Sequence, residues 1–161
     1  MRKYILYIWL LISSSSICAE VFNVKTEPGN GSRIKQVAIS WNIPFDKPYE
    51  KLSEDQKIRF TSIYENLNEG DEPPFPVNGL QELYMPIYAG HKKLLKKGKL
   101  HIIALIDEEG KVESISVFDT PSELMTKLAI VVLRETEFKP AKCSGSPCKM
   151  DFPLFMNLKV R

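Results

Sequence analysis

The sequence predicts an α+β fold: an antiparallel three-stranded sheet in the order strand, strand, helix, strand, with one packed helix and an N-terminal extension of a strand and a helix. Three observations carry that prediction. Apolar residues alternate with others from Leu100 to Ile106 and again from Met150 to Val160, which is the period-two pattern of strands. Asp107-Glu108-Glu109-Gly110 supplies a turn with a glycine free for positive φ, so the run Lys111–Phe118 folds back as the second arm of a hairpin. Thr120-Pro121-Ser122-Glu123 then reads as a helix start, with a threonine cap, proline in the first helical position and glutamate at the capping-box position.

In chain order, residues 1–19 come first. Arg2 and Lys3 precede the apolar run Tyr4–Ile12 and the small-residue stretch Ser13–Ala19. This order is expected of a secretory signal peptide cleaved after Ala19. A retained anchor fits less well, because spanning a bilayer takes roughly 20 apolar residues. Lipidation at Cys18 is disfavoured by Ile17, which stands where a small residue is needed. The protein is therefore expected to be exported. Without Arg2 and Lys3 the chain carries 20 basic and 20 acidic residues. A neutral chain lacks the positive surface that nucleic acid requires, and no nucleic-acid partner is expected.

Residues 20–76 are read as the N-terminal extension. Val37, Ile39 and Trp41 alternate as a short strand. Ser53 with Gln56 three residues on is a capping-box pair. Phe60, Ile63, Tyr64 and Leu67 follow at helical spacing on one face. Asn68–Pro76, NEGDEPPFP, reads as a stiff connector. Residues 77–161 form the main domain. Its first helix begins near Asn78, with Leu80, Leu83, Tyr84, Ile87, His91, Leu94 and Leu95 along one stripe. Pro86 and Gly90 predict a kink or two short helices there. The lysines of 92–99 fall mainly on the opposite face, where a solvated helix surface is expected ahead of a contact with anionic lipid. Val112, Ile115 and Val117 leave simple alternation, which a bulge near Glu113–Ser114 reconciles. In the following helix Leu124, Leu128, Val131 and Val132, widened by Met125 and Ala129, form the expected buried face. In the last strand Pro153 cannot donate to a ladder, which favours a sheet edge.

Export leaves Cys143 and Cys148, separated by Ser-Gly-Ser-Pro. A local disulfide is expected. A redox pair would need Cys-x-x-Cys at a helix start. A zinc site would need His91 and His101, which lack paired ligand spacing. No metal and no cofactor is expected. The carboxylates Asp107, Glu108 and Glu109 sit side by side in a turn and do not face one another across a cleft. No serine lies in a nucleophile elbow, and no glycine-rich phosphate loop is present. The chain is read as not an enzyme.

The run Gly98-Lys99-Leu100, strand, Ile106-Asp107 to Val112, strand, Thr120-Pro121, helix, Phe138-Lys139-Pro140-Ala141, turn, strand resembles the C-terminal domain of the TonB family. These proteins are periplasmic energy transducers for outer-membrane transporters. The resemblance covers roughly the last 64 residues, and NEGDEPPFPVNGLQELY extends it as a lead-in. It departs from the family in three respects: the tyrosine-proline before the first strand is shifted, to Tyr84-Met85-Pro86; a cysteine pair decorates the last turn; and the retained anchor and proline-rich spacer are not seen. With export, the resemblance implies a protein-binding module located in the periplasm, whose last strand adds an extended peptide, as a transporter's N-terminal segment, along an edge comprising Met150, Asp151, Phe152, Leu154, Phe155, Met156 and Asn157. Asp151, Phe155 and Asn157 are expected to point away from the helix. Two alternatives stand beside it: a full energy transducer with an uncleaved anchor, and a structural periplasmic domain whose edge is covered by Val37–Trp41 or by a second copy in a homodimer.

Overall fold

The structure is a computed structural model that describes Ile34 and residues 43–160. The expected signal peptide and the expected strand Val37–Trp41 lie outside the described residues.

Helix α1 (Glu54–Thr61) starts as the sequence predicts. Ser53 and Gln56 form a reciprocal capping box, each side chain accepting from the other's amide. The helix is shorter than the apolar spacing implied. Thr61 and Ser62 turn their hydroxyls back onto the carbonyls of Ile58 and Arg59, a local alternative to further helix. Ile63 and Tyr64 are nevertheless buried, and the Tyr64 backbone bridges Ile34.

The segment expected to be a stiff connector is instead tied to the rest of the molecule. Glu72 and Lys142 exchange two backbone hydrogen bonds, of 2.9 and 2.8 Å. The short strand β1 (Phe75–Pro76) pairs antiparallel with β4 (Phe138–Lys139). Prolines end helices, yet they also tolerate the extended backbone of a strand edge. Burial of Phe75 explains why that form prevails. Its ring lies 5.0 Å from Phe60 and 5.7 Å from Tyr49, while Phe152 reaches Phe60 at 6.4 Å and Phe138 at 5.1 Å. One aromatic cluster therefore joins α1 and β1 to the sheet.

Helix α2 (Gln81–Leu94) is one continuous helix, not two. Pro86 lies on its exposed side, so the carbonyl it leaves unpaired is on the side that water reaches. Gly90 is set against the Leu128 side chain, where any Cβ would collide. That close approach lets α2 pack on α3 (Glu123–Glu135).

The cap of α3 is Ser122, which accepts from the Met125 amide at 3.3 Å, and not Thr120. Thr120 is engaged elsewhere, donating to the Ser122 carbonyl and accepting from the Thr126 hydroxyl. The buried face is correspondingly rotated. Met125, Thr126, Ala129, Ile130 and Leu133 are inside, while Leu124 and Val131 are each 57% exposed. The run Leu128–Leu133 is apolar all round, so spacing alone could not choose between the two stripes.

The main sheet has the order β3–β2–β7, all antiparallel, from β2 (Gly98–Ile106), β3 (Val112–Asp119) and β7 (Met150–Leu158). The α+β class and the three-stranded sheet are as the sequence predicts. The Asp107–Gly110 turn closes through Asp107, whose Oδ1 accepts from the Glu109 and Lys111 amides. Gly110 has φ 81° and abuts the Phe138 carbonyl. The bulge expected near Glu113 is present, with Val112 and Ser114 pairing and Glu113 left over. A second irregularity at Phe118 was not foreseen. Leu100, Ile102, Ala104 and Ile106 of β2 are buried, as are Val117, Phe152 and Leu154, and they join the helices in one core.

Between β4 and β7 the chain forms a small hairpin, β5 (Ala141–Cys143) and β6 (Ser146–Cys148). Ser144 and Gly145 both have positive φ, 51° and 84°, as a two-residue primed turn requires. Cys143 and Cys148 are disulfide-bonded across it, with Cα atoms 5.8 Å apart.

Candidate functional site

β7 has a single strand partner, so one side of its backbone faces away from the sheet. Pro153, which has no N–H, stands opposite Ile103. Pairs in an antiparallel ladder alternate between bonded and non-bonded. A non-bonded pair at Pro153 puts the outward backbone groups on Asp151, Pro153, Phe155, Asn157 and Lys159. The bonds to β2 then come from the even-numbered residues.

Three side chains meet that outward row. The Tyr64 hydroxyl donates to the Asp151 carbonyl at 2.9 Å. The Tyr84 hydroxyl is buried near the Phe155 amide, without a hydrogen-bond partner among the described residues. His91, buried on α2, donates from Nε2 to the Lys159 carbonyl at 3.2 Å. The contacts fall at every fourth residue, as the alternation requires. Burial, with the Asp151 charge second and Tyr49 third, holds the Tyr64 pKa well above the usual phenol value. Burial likewise raises that of Tyr84, partly offset by the Phe155 amide. Both hydroxyls therefore keep their protons.

The expected edge residues divide by face. The side chains of Met150, Phe152, Leu154 and Met156 lie on the core face, with Phe152 and Leu154 fully buried. Those of Asp151, Phe155 and Asn157 lie on the other face, with Pro153. There Phe155 and Phe118 flank His101, ring centroids 4.3 and 4.8 Å away. Desolvation lowers the His101 pKa, and the Asp119 charge opposes it.

His91 and His101 are thus spent separately, one on a carbonyl and one in an aromatic stack. Among the described residues no cluster of His, Cys, Asp and Glu is placed to hold a metal ion. A cleft of about 450 Å³ lies beside the disulfide, lined by Tyr64, Asp71, Lys149 and Asp151 among others. Its polar groups have structural duties. Asp71 accepts from the Ser144 amide at 2.8 Å, which with the Asn68 contacts lowers its pKa. Lys149 pairs with Glu113 at 2.8 Å. The apolar spacing places Tyr64, Tyr84 and His91 on buried stripes and does not mark them as neighbours of β7. The available signal was their polar ends, which a buried tyrosine or histidine must satisfy.

No family model matches the chain, and no curated protein matches it.

Proposed function

We propose that this chain is an exported, non-catalytic protein-binding module of the periplasm, resembling the TonB C-terminal domain, that takes an extended peptide as an added strand along β7. The observation that carries the reading is the stretch Pro153–Asn157. It lies at the sheet edge between the Tyr64 and His91 contacts, paired with β2 on one side, and among the described residues no backbone group pairs with its outward side. Strand addition draws affinity from the main chain and selectivity from alternate side chains. Here Phe155 and exposed Asn157 provide those side chains. A transporter's N-terminal segment is the partner the resemblance suggests.

The test uses peptides selected from a random display library against the full chain. A selected peptide should perturb the backbone amides of Phe155 and Asn157 in NMR spectra. Asn157→Pro removes one outward amide from an exposed position, and one hydrogen bond of about 0.5–1.5 kcal/mol corresponds to a two- to twelvefold loss of affinity. Unchanged affinity in a variant with native circular dichroism would refute β7 as the recognition edge.

A second reading has its own support. Tyr84 beside the Phe155 amide closes the middle of the window, and Pro153 is buried. On that reading the domain is structural and its edge is covered. Selected peptides would then leave the Phe155 and Asn157 amides unperturbed.

A further inference from the structure

The C-terminal end of α2 combines three features that helix formation alone does not explain. The first is Leu95, the helix C-cap, held in the left-handed conformation at φ 49°, ψ 40°. Glycine or asparagine normally takes this position because a Cβ is disfavoured there. Leu95 nevertheless stands with its side chain 62% exposed. Burial therefore does not explain the leucine.

The second feature is charge. Lys92, Lys93, Lys96, Lys97 and Lys99 surround Leu95, all exposed, and none forms an ion pair with a described residue. No carboxylate occurs in the sequence from Leu83 to Ile106. The sheet register adds another lysine, since Gly98 pairs with Leu158 and His91 holds the Lys159 carbonyl. Gly98 also lies against Pro121, which brings Asp119 to this pole. Glu123 nearby is held by Lys127 at 2.6 Å. Among the described residues, six lysines thus meet one unbridged carboxylate.

The third feature is apolar. Val160, next to Lys159, is 43% exposed. Tyr88 is exposed on the stripe that continues through Lys92 to Leu95, with the Lys92 ammonium 4.8 Å from its ring centroid. Lysines at a helix C-terminus complement its dipole, which accounts for Lys92 and Lys93. It does not account for exposed apolar groups set among them.

We propose that this pole is a peripheral membrane-contact site that takes an anionic lipid surface. Lysines draw the pole to acidic headgroups, and the Leu95 and Val160 side chains enter the boundary beneath them. Tyrosine with its amphipathic ring suits the same boundary. A soluble polyanion would satisfy the lysines but would bury neither apolar side chain. This inference does not depend on strand addition at β7.

The test is flotation of the full chain with vesicles of equimolar phosphatidylglycerol and phosphatidylcholine, against phosphatidylcholine alone. Binding should require the acidic lipid and weaken with salt. Each lysine near an acidic surface is worth roughly a fivefold change in partitioning, so K96Q/K97Q should lower it about 30-fold. Leu95→Asn should lower it roughly tenfold by removing buried apolar area. It should not lower the thermal midpoint, because asparagine accepts the left-handed conformation. Lys111→Gln, at the opposite end of the sheet and roughly 27 Å away along β2, should leave partitioning unchanged. In hydrogen exchange, amides of residues 92–99 should gain protection with acidic vesicles. Equal binding to neutral vesicles, parental partitioning by Leu95→Asn, or unchanged exchange at 92–99 would each overturn the site. Binding to dextran sulfate that depends on the lysines but not on Leu95 would replace it with a soluble-polyanion site.

Discussion

The two outer strands of the sheet, β3 and β7, each pair only with β2, yet they meet their surroundings differently. β7 is a regular nine-residue strand whose outward groups are met by Tyr64, Tyr84 and His91 at every fourth position. No side chain is seen to bond β3 in this way among the described residues. By the same alternation its outward groups are those of Ile115 and Val117, and its register breaks on either side of that stretch, at Glu113 and near Phe118. Bulges shorten the regular part of an edge and twist it away from new partners. One edge is therefore met by side chains from elsewhere in the fold, Tyr64 and His91 as donors, and the other is interrupted by its own backbone. Only a long, regular edge has room for a peptide strand, which is why β7 remains the candidate despite its contacts.

The comparison is sharpened most by the core. Leu154 of β7 is fully buried, whereas Ile115 of β3 is half-buried. Leu154→Ala should cost about 2–5 kcal/mol in urea unfolding, because it leaves a cavity beneath the helices. Ile115→Ala should cost clearly less. Equal losses would mean that both outer strands contribute alike to the core.

A smaller effect is expected from the edge donors. Tyr64→Phe keeps the ring but leaves the Asp151 carbonyl without that hydroxyl, at about 0.5–1.5 kcal/mol by chemical denaturation. Ser116→Ala on β3, where no donor is lost, should stay within roughly 0.5 kcal/mol. If both variants match the parent, the tyrosine does not secure the β7 edge.

The smallest effect is a pH dependence confined to the face where the strands meet across His101. Burial lowers the His101 pKa from 6.5, with Asp119 acting in the opposite sense. The unfolded chain then takes up a proton from about pH 6.5 downward, before the folded chain does. Stability contributed by the neutral imidazole is present above that pH and is lost as pH falls toward the lower folded value. His101→Phe, which keeps the stack with Phe118 and Phe155, should flatten thermal midpoints measured between about pH 6.5 and 5. Glu72 and Asp71, whose pKa values are lowered by Lys139 and by the Ser144 amide, titrate below that window.

Much of the fold was legible because its signals are local. The capping box at Ser53, the Asp107–Gly110 turn and the alternation of β7 each depend on residues within one turn or one strand. The bulge at Glu113 was legible for the same reason, as a break in period. The candidate edge was legible only in part. Pro153 marked β7 as an outer strand, but nothing in its neighbourhood marked Tyr64, which is 87 residues away, or His91, 68 residues from its acceptor. The buried stripe of α3 was misjudged because several apolar faces compete on one helix.

By itself, the sequence determined the class of each main element, the hairpin, the cysteine pair and the outer position of the last strand. All follow from backbone chemistry and short-range period. Only the tertiary structure decided that NEGDEPPFP pairs with Phe138–Cys143, that Gly90 admits Leu128, and that three distant side chains occupy the β7 edge. Those outcomes depend on which buried groups find partners across the fold, and burial is a property of the assembled core that no local spacing records.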